Sequence, residues 1–224
     1  MNDSLGDRMK HNYEDRYRFF LTRRTPVILR LDGKAFHTLT KKCTKPFDHN
    51  FRACMVNSAK SVFQEIQGAK LAYVQSDEIS ILITDYDKIE TQAWFDYNIQ
   101  KMCSVSASIA SSIFSEMFSN YGFFDCRVFN IPKEEVCNYF IWRQKDWIRN
   151  SVSMLAQSHY SHKQLHKKSV SDMHEMLHQK GVNWTNLENG WKNGTFIKKN
   201  NTYVLDYFND IILTENREFV EKLI

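Results

Sequence analysis

The sequence is poor in residues that interrupt regular structure. Seven of its 224 residues are glycine and three are proline, so long disordered linkers are not expected and helices should be abundant. It has no run of about 18 apolar residues, the length that a membrane-spanning helix requires. The polar segment from Met1 to Lys10 has no signal-peptide core. These absences predict a helix-rich protein that has no membrane partner.

Cysteine is sparse and follows no pattern. The five cysteines are odd in number and show no C-x-x-C spacing, which fits a reduced, cytoplasmic protein best. Apolar residues are plentiful by contrast, since 42% of the chain is hydrophobic and 14% is aromatic. This composition is sufficient for one substantial core, and the length indicates one domain or a domain with a large appendage.

The net charge of +4 is mild, but the basic residues are unevenly distributed. They cluster at positions 23–24, 41–42, 163–168 and 198–199. Clustered lysine and arginine can neutralise the phosphates of a nucleic acid. They also occur on ordinary solvated surfaces, and charge alone favours this second interpretation.

Apolar spacing predicts a definite order of elements in the first part of the chain. The predicted elements are a strand at 26–31, a helix at 49–67, strands at 71–74 and 79–83, a helix at 88–120 and a strand at 126–130. Their β-α-β-β-α-β order is that of the ferredoxin-like, or split βαβ, unit. After Glu134 the sequence predicts further helices and a short extended stretch at 191–199. The predicted fold class is therefore α+β.

The predicted order brings two acidic residues together. In a split βαβ unit the first two strands run parallel, and the third is inserted antiparallel between them. The end of the first strand and the turn between the second and third then lie at the same edge of the sheet. Asp32 occupies the first position and Asp77 the second. Asp-Gly and Ser-Asp-Glu are each ordinary turn signals, so it is their convergence that predicts a site.

Two converging carboxylates favour a hard cation such as Mg²⁺, which takes oxygen ligands and bridges carboxylates to substrate phosphates. Two such ions about 4 Å apart can stabilise both the attacking and the leaving oxygen of a phosphoryl displacement. Gly33 permits close approach of the backbone, and its carbonyl is a further candidate ligand. The backbone N–H groups of residues 34–37 are candidates for binding triphosphate oxygens.

These segments resemble a known family. The sequences RLDGKAFH (30–37), YVQSDE (73–78) and WRQ (142–144) are similar to hallmark segments of the tRNA(His) guanylyltransferase family, with further similarity at 124–128 and 192–196. The resemblance covers most of residues 20–200 in the expected order. The family includes eukaryotic enzymes that add an extra guanylate to tRNA(His). It also includes bacterial and archaeal relatives that extend or repair truncated tRNA 5′ ends in the 3′→5′ direction.

The resemblance implies a polymerase-type palm as the catalytic domain, over residues 1–133. Residues 134–224 are then a helical C-terminal part that packs on the palm in one continuous unit. Two Mg²⁺ ions would be held by Asp32, the Gly33 carbonyl and Asp77, and Glu78 would be a supporting catalytic group. ATP or GTP would activate the tRNA 5′-phosphate, and the 3′-hydroxyl of an incoming nucleotide would then attack the activated end. A homotetramer, built as a dimer of dimers, is implied as well.

The resemblance also implies a set of nucleotide contacts. The residues concerned are Asp32, Gly33, Lys34, Ala35, Phe36, His37, Lys45, Ser76, Asp77 and Lys101. Lys45 and Lys101 are at positions where family members place basic residues against triphosphates. Asn98 is at a position where some relatives have arginine, which would remove one phosphate contact.

One departure from the family pattern concerns the choice of tRNA. Eukaryotic members follow Trp-Arg-Gln with a His-Ile-Asn-Asn segment, whereas this chain has Ile-Arg-Asn-Ser at 148–151. The histidine is absent, as it is in the bacterial and archaeal relatives. Templated repair of varied tRNAs is therefore expected, and guanylate addition specific to tRNA(His) is the alternative.

Two readings from other classes compete with this one. Residues 174–178 match H-E-x-x-H, in which His174 and His178 would bind Zn²⁺ and Glu175 would be the general base of a metalloprotease. The surrounding stretch is rich in histidine and no obvious third ligand follows, so a chance match is favoured. Nucleotide cyclases also place two metal carboxylates on a related palm, and they would need no RNA.

The histidine-rich stretch is also a candidate RNA-binding segment, because it is basic and contains an aromatic residue. It is predicted to be a helix bearing Tyr160, His162, Lys163, His166, Lys167 and Lys168. A solvated helix face is an equally good interpretation of these residues.

Overall fold

A computed structural model describes residues 4–200, 202 and 204–224, and within them six strands form a single sheet. The strands are β1 (Val27–Gly33), β2 (Ala69–Gln75), β3 (Glu78–Ile83), β4 (Phe124–Asn130), β5 (Thr195–Lys199) and β6 (Leu205–Phe208). Their order is β4-β1-β3-β2-β5-β6, and neighbouring strands are antiparallel. Since β3 lies between β1 and β2, these two run parallel. The predicted α+β, ferredoxin-like arrangement is confirmed.

The helices are distributed along the whole described chain. They are α1 (Leu5–Met9), α2 (Phe36–Leu39), α3 (His49–Glu65), α4 (Ile99–Phe118), α5 (Lys133–Gln157), α6 (His162–Leu165), α7 (Val170–Gln179), α8 (Asn189–Asn193) and α9 (Glu218–Glu221). Among these helices none is long and apolar enough to cross a membrane.

Side chains alternate between two apolar layers, because successive residues of a strand point to opposite faces of the sheet. The layer against α3 and α4 contains Val27, Leu29, Leu31, Ile79, Ile81 and Ile83. The layer against α5 contains Ile28, Leu71, Tyr73, Leu82 and Phe196. A register slip of one residue would exchange the two layers and place each side chain in a space shaped for another. The core therefore fixes the position at which each strand ends.

The helix predicted at 88–120 is wrong at its N-terminal end. A 3₁₀ turn occupies Trp94–Tyr97, and α4 begins only at Ile99. Phe95 has a left-handed backbone with φ 51°, which an α-helix does not accommodate. Asn98 then caps α4 by accepting a hydrogen bond from an N–H of its first turn. Apolar spacing continued through this cap, so periodicity did not reveal it.

The C-terminal part was predicted to be helical with one extended stretch, but it contains two strands. Of the stretch predicted at 191–199, only the residues from Thr195 onward form a strand. Trp191 lies in α8, and Gly194, with φ 77°, separates helix from strand. β5 pairs with β2, and β6, which was not predicted, pairs with β5. The C-terminal part thus extends the palm sheet.

Candidate active site

The end of β1 and the β2–β3 turn lie side by side. Asp32 is opposite Glu78 in the β1–β3 register, and the Gly33 N–H donates a hydrogen bond to the Asp77 carbonyl at 3.0 Å. Burial raises the pKa of the Asp77 carboxyl, and the nearby Asp32 carboxylate raises it further. The structure therefore brings Asp32 and Asp77 together at one sheet edge.

The donor set at this edge suits a hard cation. Two mutually repelling carboxylates, with Asp77 only half-buried, present oxygen atoms that Mg²⁺ prefers. Within the residues that the structure describes, no group of three or more His, Cys, Asp or Glu side chains could hold a metal ion. Oxygens from a backbone carbonyl, from water or from a substrate phosphate would therefore have to complete the coordination.

The turn that carries Asp77 is tightly constrained. Ser76 and Asp77 form a two-residue connection, since Gln75 and Glu78 are directly paired across it. Ser76 has φ 48°, a conformation that this kind of turn usually assigns to glycine. Backbone strain of this kind is typical of functional sites, where surrounding structure holds it in place.

The loop after Asp32 packs against the aromatic ring of Phe36. A Cβ atom on Gly33 would lie 2.6 Å from the Phe36 ring, so only glycine fits here. Phe36 is buried, and its ring centre lies 4.9 Å from that of Phe114 and 5.0 Å from that of Phe124. This loop is therefore anchored in the core directly beside the carboxylates.

The backbone N–H groups of residues 34–37 are not all available to a triphosphate, contrary to the prediction. The Lys34 N–H donates to the Phe123 carbonyl at 2.8 Å. The N–H groups of Ala35, Phe36 and His37 make no hydrogen bond to a described residue. Three of the four predicted donors are thus free to meet a ligand.

A cavity of about 230 Å³ opens beside the Asp77 turn. Five of the predicted nucleotide contacts line it, namely Phe36, His37, Lys45, Ser76 and Asp77. Its far wall comes from the C-terminal part of the chain and includes Trp147, Trp191 and Thr195. The Lys45 ammonium donates to the Thr40 carbonyl at 3.2 Å and is otherwise exposed.

Lys101 is not brought to this site within one chain. It lies in the first turn of α4, whereas Phe114, thirteen residues later in the same helix, packs against Phe36 beside the site. A rise of 1.5 Å per residue puts the two positions about 20 Å apart. The other predicted contacts, Asp32, Gly33, Lys34 and Ala35, also do not line the cavity, although they immediately precede Phe36, which does.

Glu78 is engaged in an ion pair that sequence reasoning missed. Arg143 on α5 donates to both of its carboxylate oxygens, at 2.8 Å and 2.7 Å, and Arg30 approaches to 3.9 Å. The side chains of Glu78 and Arg143 are 8% and 10% exposed. The pair ties α5 to the first residue after the Asp77 turn. In the sequence, only the W-R-Q motif, which contains Arg143, marked this arginine as notable.

The candidate RNA-binding segment is not a single helix, so the helix predicted there is wrong. α6 has only four residues, and Lys167 has φ 62°, which ends helical structure before α7. The Tyr160 ring lies under the Lys180 ammonium at 4.1 Å, and its hydroxyl donates to the Met176 carbonyl. Tyr160 is thus a packing residue. The basic residues of the segment remain exposed: His162, Lys163, His166, Lys167 and Lys168.

The H-E-x-x-H residues lie on α7, as a zinc site would require, but they have no third partner. His174 packs edge-on against the Trp184 ring at 5.8 Å, and Glu175 accepts a hydrogen bond from Gln179 at 3.4 Å. Across the described ranges, these side chains belong to no group of three metal ligands. The geometry gives the protease reading no support.

The fold and the paired carboxylates together define the class of protein. A ferredoxin-like sheet with acidic residues at the end of its first strand and in the turn between the next two is the arrangement of a polymerase-type palm, and the family match that follows makes the chain a nucleotidyltransferase. The family model described as Thg1, tRNAHis guanylyltransferase, matches residues 6–132, more than half of the sequence. The chain belongs to the tRNA(His) guanylyltransferase family.

Individual relatives agree with this assignment. A probable tRNA(His) guanylyltransferase of Drosophila melanogaster is 30% identical over an alignment of length 193 that covers 76% of this chain and 66% of that protein. Two solved structures of a bacterial tRNA(His) guanylyltransferase (Thg1)-like protein match 99% of both chains. The one in complex with ATP is 45% identical with a TM-score of 0.94, and the one in complex with GTP is 43% identical with a TM-score of 0.87.

Proposed function

We propose that this enzyme adds nucleotides to the 5′ end of tRNA in the 3′→5′ direction, and that templated repair of truncated tRNAs is its preferred reaction. The observation that carries this proposal is the convergence of Asp32 and Asp77 at one sheet edge beside a cavity. Membership of the tRNA(His) guanylyltransferase family supports a tRNA substrate.

The proposed reaction consists of two phosphoryl transfers. In the first, an oxygen of the tRNA 5′-monophosphate attacks the α-phosphorus of ATP or GTP. The bond to the β-phosphate breaks, and pyrophosphate leaves. In the second, the 3′-hydroxyl of an incoming nucleoside triphosphate attacks the 5′-phosphorus of the tRNA and loses its proton to water. The bond to the activating nucleotide breaks, and a nucleoside monophosphate leaves.

The acidic residues have distinct roles in this proposal. Asp32, the Gly33 carbonyl and Asp77 would hold two Mg²⁺ ions. When bound, such ions neutralise the triphosphate and stabilise attacking and leaving oxygens. Glu78 acts as a positioning residue, because its carboxylate is already bound by Arg143. It keeps the turn that carries Asp77 in place.

The cavity is the proposed nucleotide site. It adjoins Asp77, and Lys45 and Arg52 supply positive charge in its wall. Phe47 and Trp191 add aromatic surface, and their stacked rings have centres 5.0 Å apart. The structures of the bacterial Thg1-like protein in complex with ATP and with GTP support a site for either nucleotide.

Repair is preferred to guanylate addition on tRNA(His) because residues 148–151 lack the histidine of the eukaryotic pattern. In this chain part of that segment serves packing. Ser151 is buried, and its hydroxyl donates to the Trp191 carbonyl at 2.6 Å and accepts from the Trp184 indole at 2.9 Å. A homotetramer and a cytoplasmic location belong to the same proposal.

The test is incubation with tRNA that lacks its first nucleotide, together with Mg²⁺, ATP and labelled GTP. We expect label at the tRNA 5′ end, and Asp32→Ala and Asp77→Ala to reduce its incorporation by about a hundredfold or more without loss of folding. Glu116→Ala, an exposed acidic residue on α4, is the matched control. Near-normal turnover in either aspartate variant would remove the assignment of the site. Cyclic nucleotide formed without RNA would indicate a cyclase instead.

A further inference from the structure

Two exposed aromatic residues lie just before β4, the strand that pairs with the outer side of β1. Tyr121 is 79% exposed and Phe123 is 58% exposed. Their rings are parallel to within 4°, and the ring centres are 6.5 Å apart. Neither residue belongs to the apolar layers that the described chain forms on the two faces of the sheet. The two rings are therefore open to a planar group from outside the chain.

The backbone that carries these rings is held in place by α4. The Gly122 N–H donates to the Ser115 hydroxyl at 3.0 Å. One helical turn earlier, the Ser111 hydroxyl accepts from the Phe124 N–H at 3.1 Å. A Cβ atom on Gly122 would lie 2.5 Å from the Phe114 ring, so the segment packs closely on the core. A fixed backbone reduces the conformational entropy that is lost when a partner binds.

Phe123 lies on the same face of the sheet as Asp32. In β4, Val128 packs in the layer against α3 and α4, whereas Phe129 packs in the layer against α5. Alternation along the strand therefore directs Asp125 and Phe123 to the α5 face. Asp32 is directly opposite Asp125 in the β1–β4 register, so it shares this face. Phe123 is then a diagonal neighbour of Asp32, and such neighbours are about 7–8 Å apart.

The surroundings of the rings also suit a nucleic acid. The hydrogen bond from the Lys34 N–H to the Phe123 carbonyl continues the β1–β4 pairing past the start of β4. The Lys34 side chain is exposed and forms no ion pair with any residue that the structure describes. The carboxylate of Asp125 is paired with Arg127 at 3.1 Å, which offsets its repulsion of a phosphate. Aromatic rings beside a cationic group are the usual elements of a site for single-stranded nucleic acid.

We propose that Tyr121 and Phe123 form a stacking platform for unpaired bases at the end of the tRNA. Every base has a π face, so stacking on aromatic side chains binds a single strand whatever its sequence. In tRNA the unpaired 3′ strand adjoins the 5′ end, and the proposed reaction brings that 5′ end to Asp32. The two aromatic residues are positioning residues, because they hold the RNA end and take no part in bond making. The inference rests on the proposed function, since it requires an RNA end at the carboxylates.

The experiment measures binding of two RNAs to the full chain. One is tRNA that lacks its first nucleotide, and the other is the same tRNA trimmed so that no unpaired base remains at its 3′ end. We expect the wild-type chain to bind the untrimmed tRNA about tenfold more tightly. Tyr121→Leu with Phe123→Leu should weaken binding of the untrimmed tRNA about tenfold and of the trimmed tRNA less than twofold. Melting temperatures are recorded alongside and should be unchanged, because both side chains are exposed.

Two further variants and a salt series make the result specific. Tyr121→Phe with Phe123→Tyr keeps both rings and should keep the wild-type affinities. Tyr207→Leu replaces an exposed aromatic residue on β6, at the opposite end of the sheet from β4, and should change neither affinity. The salt dependence of tRNA binding should have the same slope in the double leucine variant as in the wild-type chain, because stacking releases no counterions.

The outcomes separate this inference from the proposed function. If the wild-type chain binds neither RNA, the proposed function loses its tRNA substrate. If it binds both RNAs equally, or if the double leucine variant weakens both alike, only the stacking platform is refuted. Weaker binding of ATP or GTP in this variant without RNA would show that the rings hold the base of a free nucleotide. A change in its sedimentation would show that the rings contact a second copy of the chain, and either result would overturn the assignment to the RNA end.

Discussion

At the scale of single residues, the chemistry of the site depends on the charge state of Asp77. Burial and the neighbouring Asp32 carboxylate both raise its pKa. A carboxyl group whose folded-state pKa is above its unfolded value favours folding while it is protonated. That contribution is fully present below the unfolded pKa and is lost as the pH rises through the folded pKa. At neutral pH, without a cation, the ionised Asp77 therefore opposes folding.

The raised pKa of Asp77 leads to a prediction for the stability of Asp77→Asn. In the presence of a chelator at pH 7 we expect the variant to melt a few degrees higher than the wild-type chain, because the amide removes the repulsion. The difference should shrink as the pH falls and Asp77 becomes protonated. Calorimetry between pH 4 and pH 7 measures it, with Asp210→Asn, an exposed residue, as the control. A variant that is less stable at every pH would contradict this account, and Mg²⁺ should stabilise only chains that retain Asp77.

At the scale of elements, α5 joins the Asp77 turn to the C-terminal part of the chain. Arg143 binds Glu78 at the start of β3. Next to it, the Gln144 amide donates to the carbonyls of Asn193 and Ile211, at 3.1 Å and 2.8 Å. Its side-chain oxygen accepts from the Leu213 N–H at 2.9 Å. Two adjacent residues thus hold three separate segments in place, which explains what the W-R-Q motif does in the fold.

Removing Arg143 should be costly, because it takes both hydrogen bonds from the buried Glu78 carboxylate and leaves it only the ion pair with Arg30 at 3.9 Å. We expect Arg143→Met to lower the free energy of unfolding by about 3–5 kcal/mol, and the double variant with Glu78→Gln to recover much of the loss. Urea denaturation measures both. Arg149→Met, on the same helix but with a side chain 64% exposed, should cost less than about 1 kcal/mol. Equal effects of the two arginine variants would show that the Glu78 pair contributes nothing special.

At the scale of the whole molecule, the site is assembled from both parts of the chain. The carboxylates come from the palm, whereas Trp147, Trp191 and Thr195 in the cavity wall follow residue 133. β5, which carries Thr195, joins the sheet by pairing with β2, and β6 pairs with β5. A boundary at 133 therefore cuts through the cavity. The palm alone is expected to lack a complete nucleotide site.

The exposed basic segment after α5 is a candidate for tRNA binding at this scale. We expect Lys163→Gln with Lys167→Gln to weaken tRNA binding and to reduce the slope of its salt dependence by about 1 to 2, since each lysine would neutralise a phosphate. Filter binding between low and moderate salt measures the slope. Arg217→Gln with Lys222→Gln removes the same charge from the two residues that flank α9 and is the control. An unchanged slope in the Lys163 and Lys167 variant would direct the tRNA to another surface.

Much of the fold was predictable from local pattern. Alternating and helical apolar spacing predicted the strands and helices around the palm, and the two turn motifs identified Asp32 and Asp77. The start of α4 was not predictable this way, because the cap at Asn98 interrupts an apolar repeat without changing it. The short strand β6 was missed for a related reason. Four residues without a strong pattern become a strand only when a neighbour such as β5 is present.

The sequence by itself determined the order of strands and helices, and with it the edge at which two distant carboxylates meet. Only the tertiary structure decided that Glu78 is bound by Arg143, that Lys101 lies far from the site in one chain, and that Arg52 reaches the cavity. The physical reason is that periodicity records which face of an element is buried. It does not record which side chain, 65 or 143 residues away in the chain, lies opposite that face.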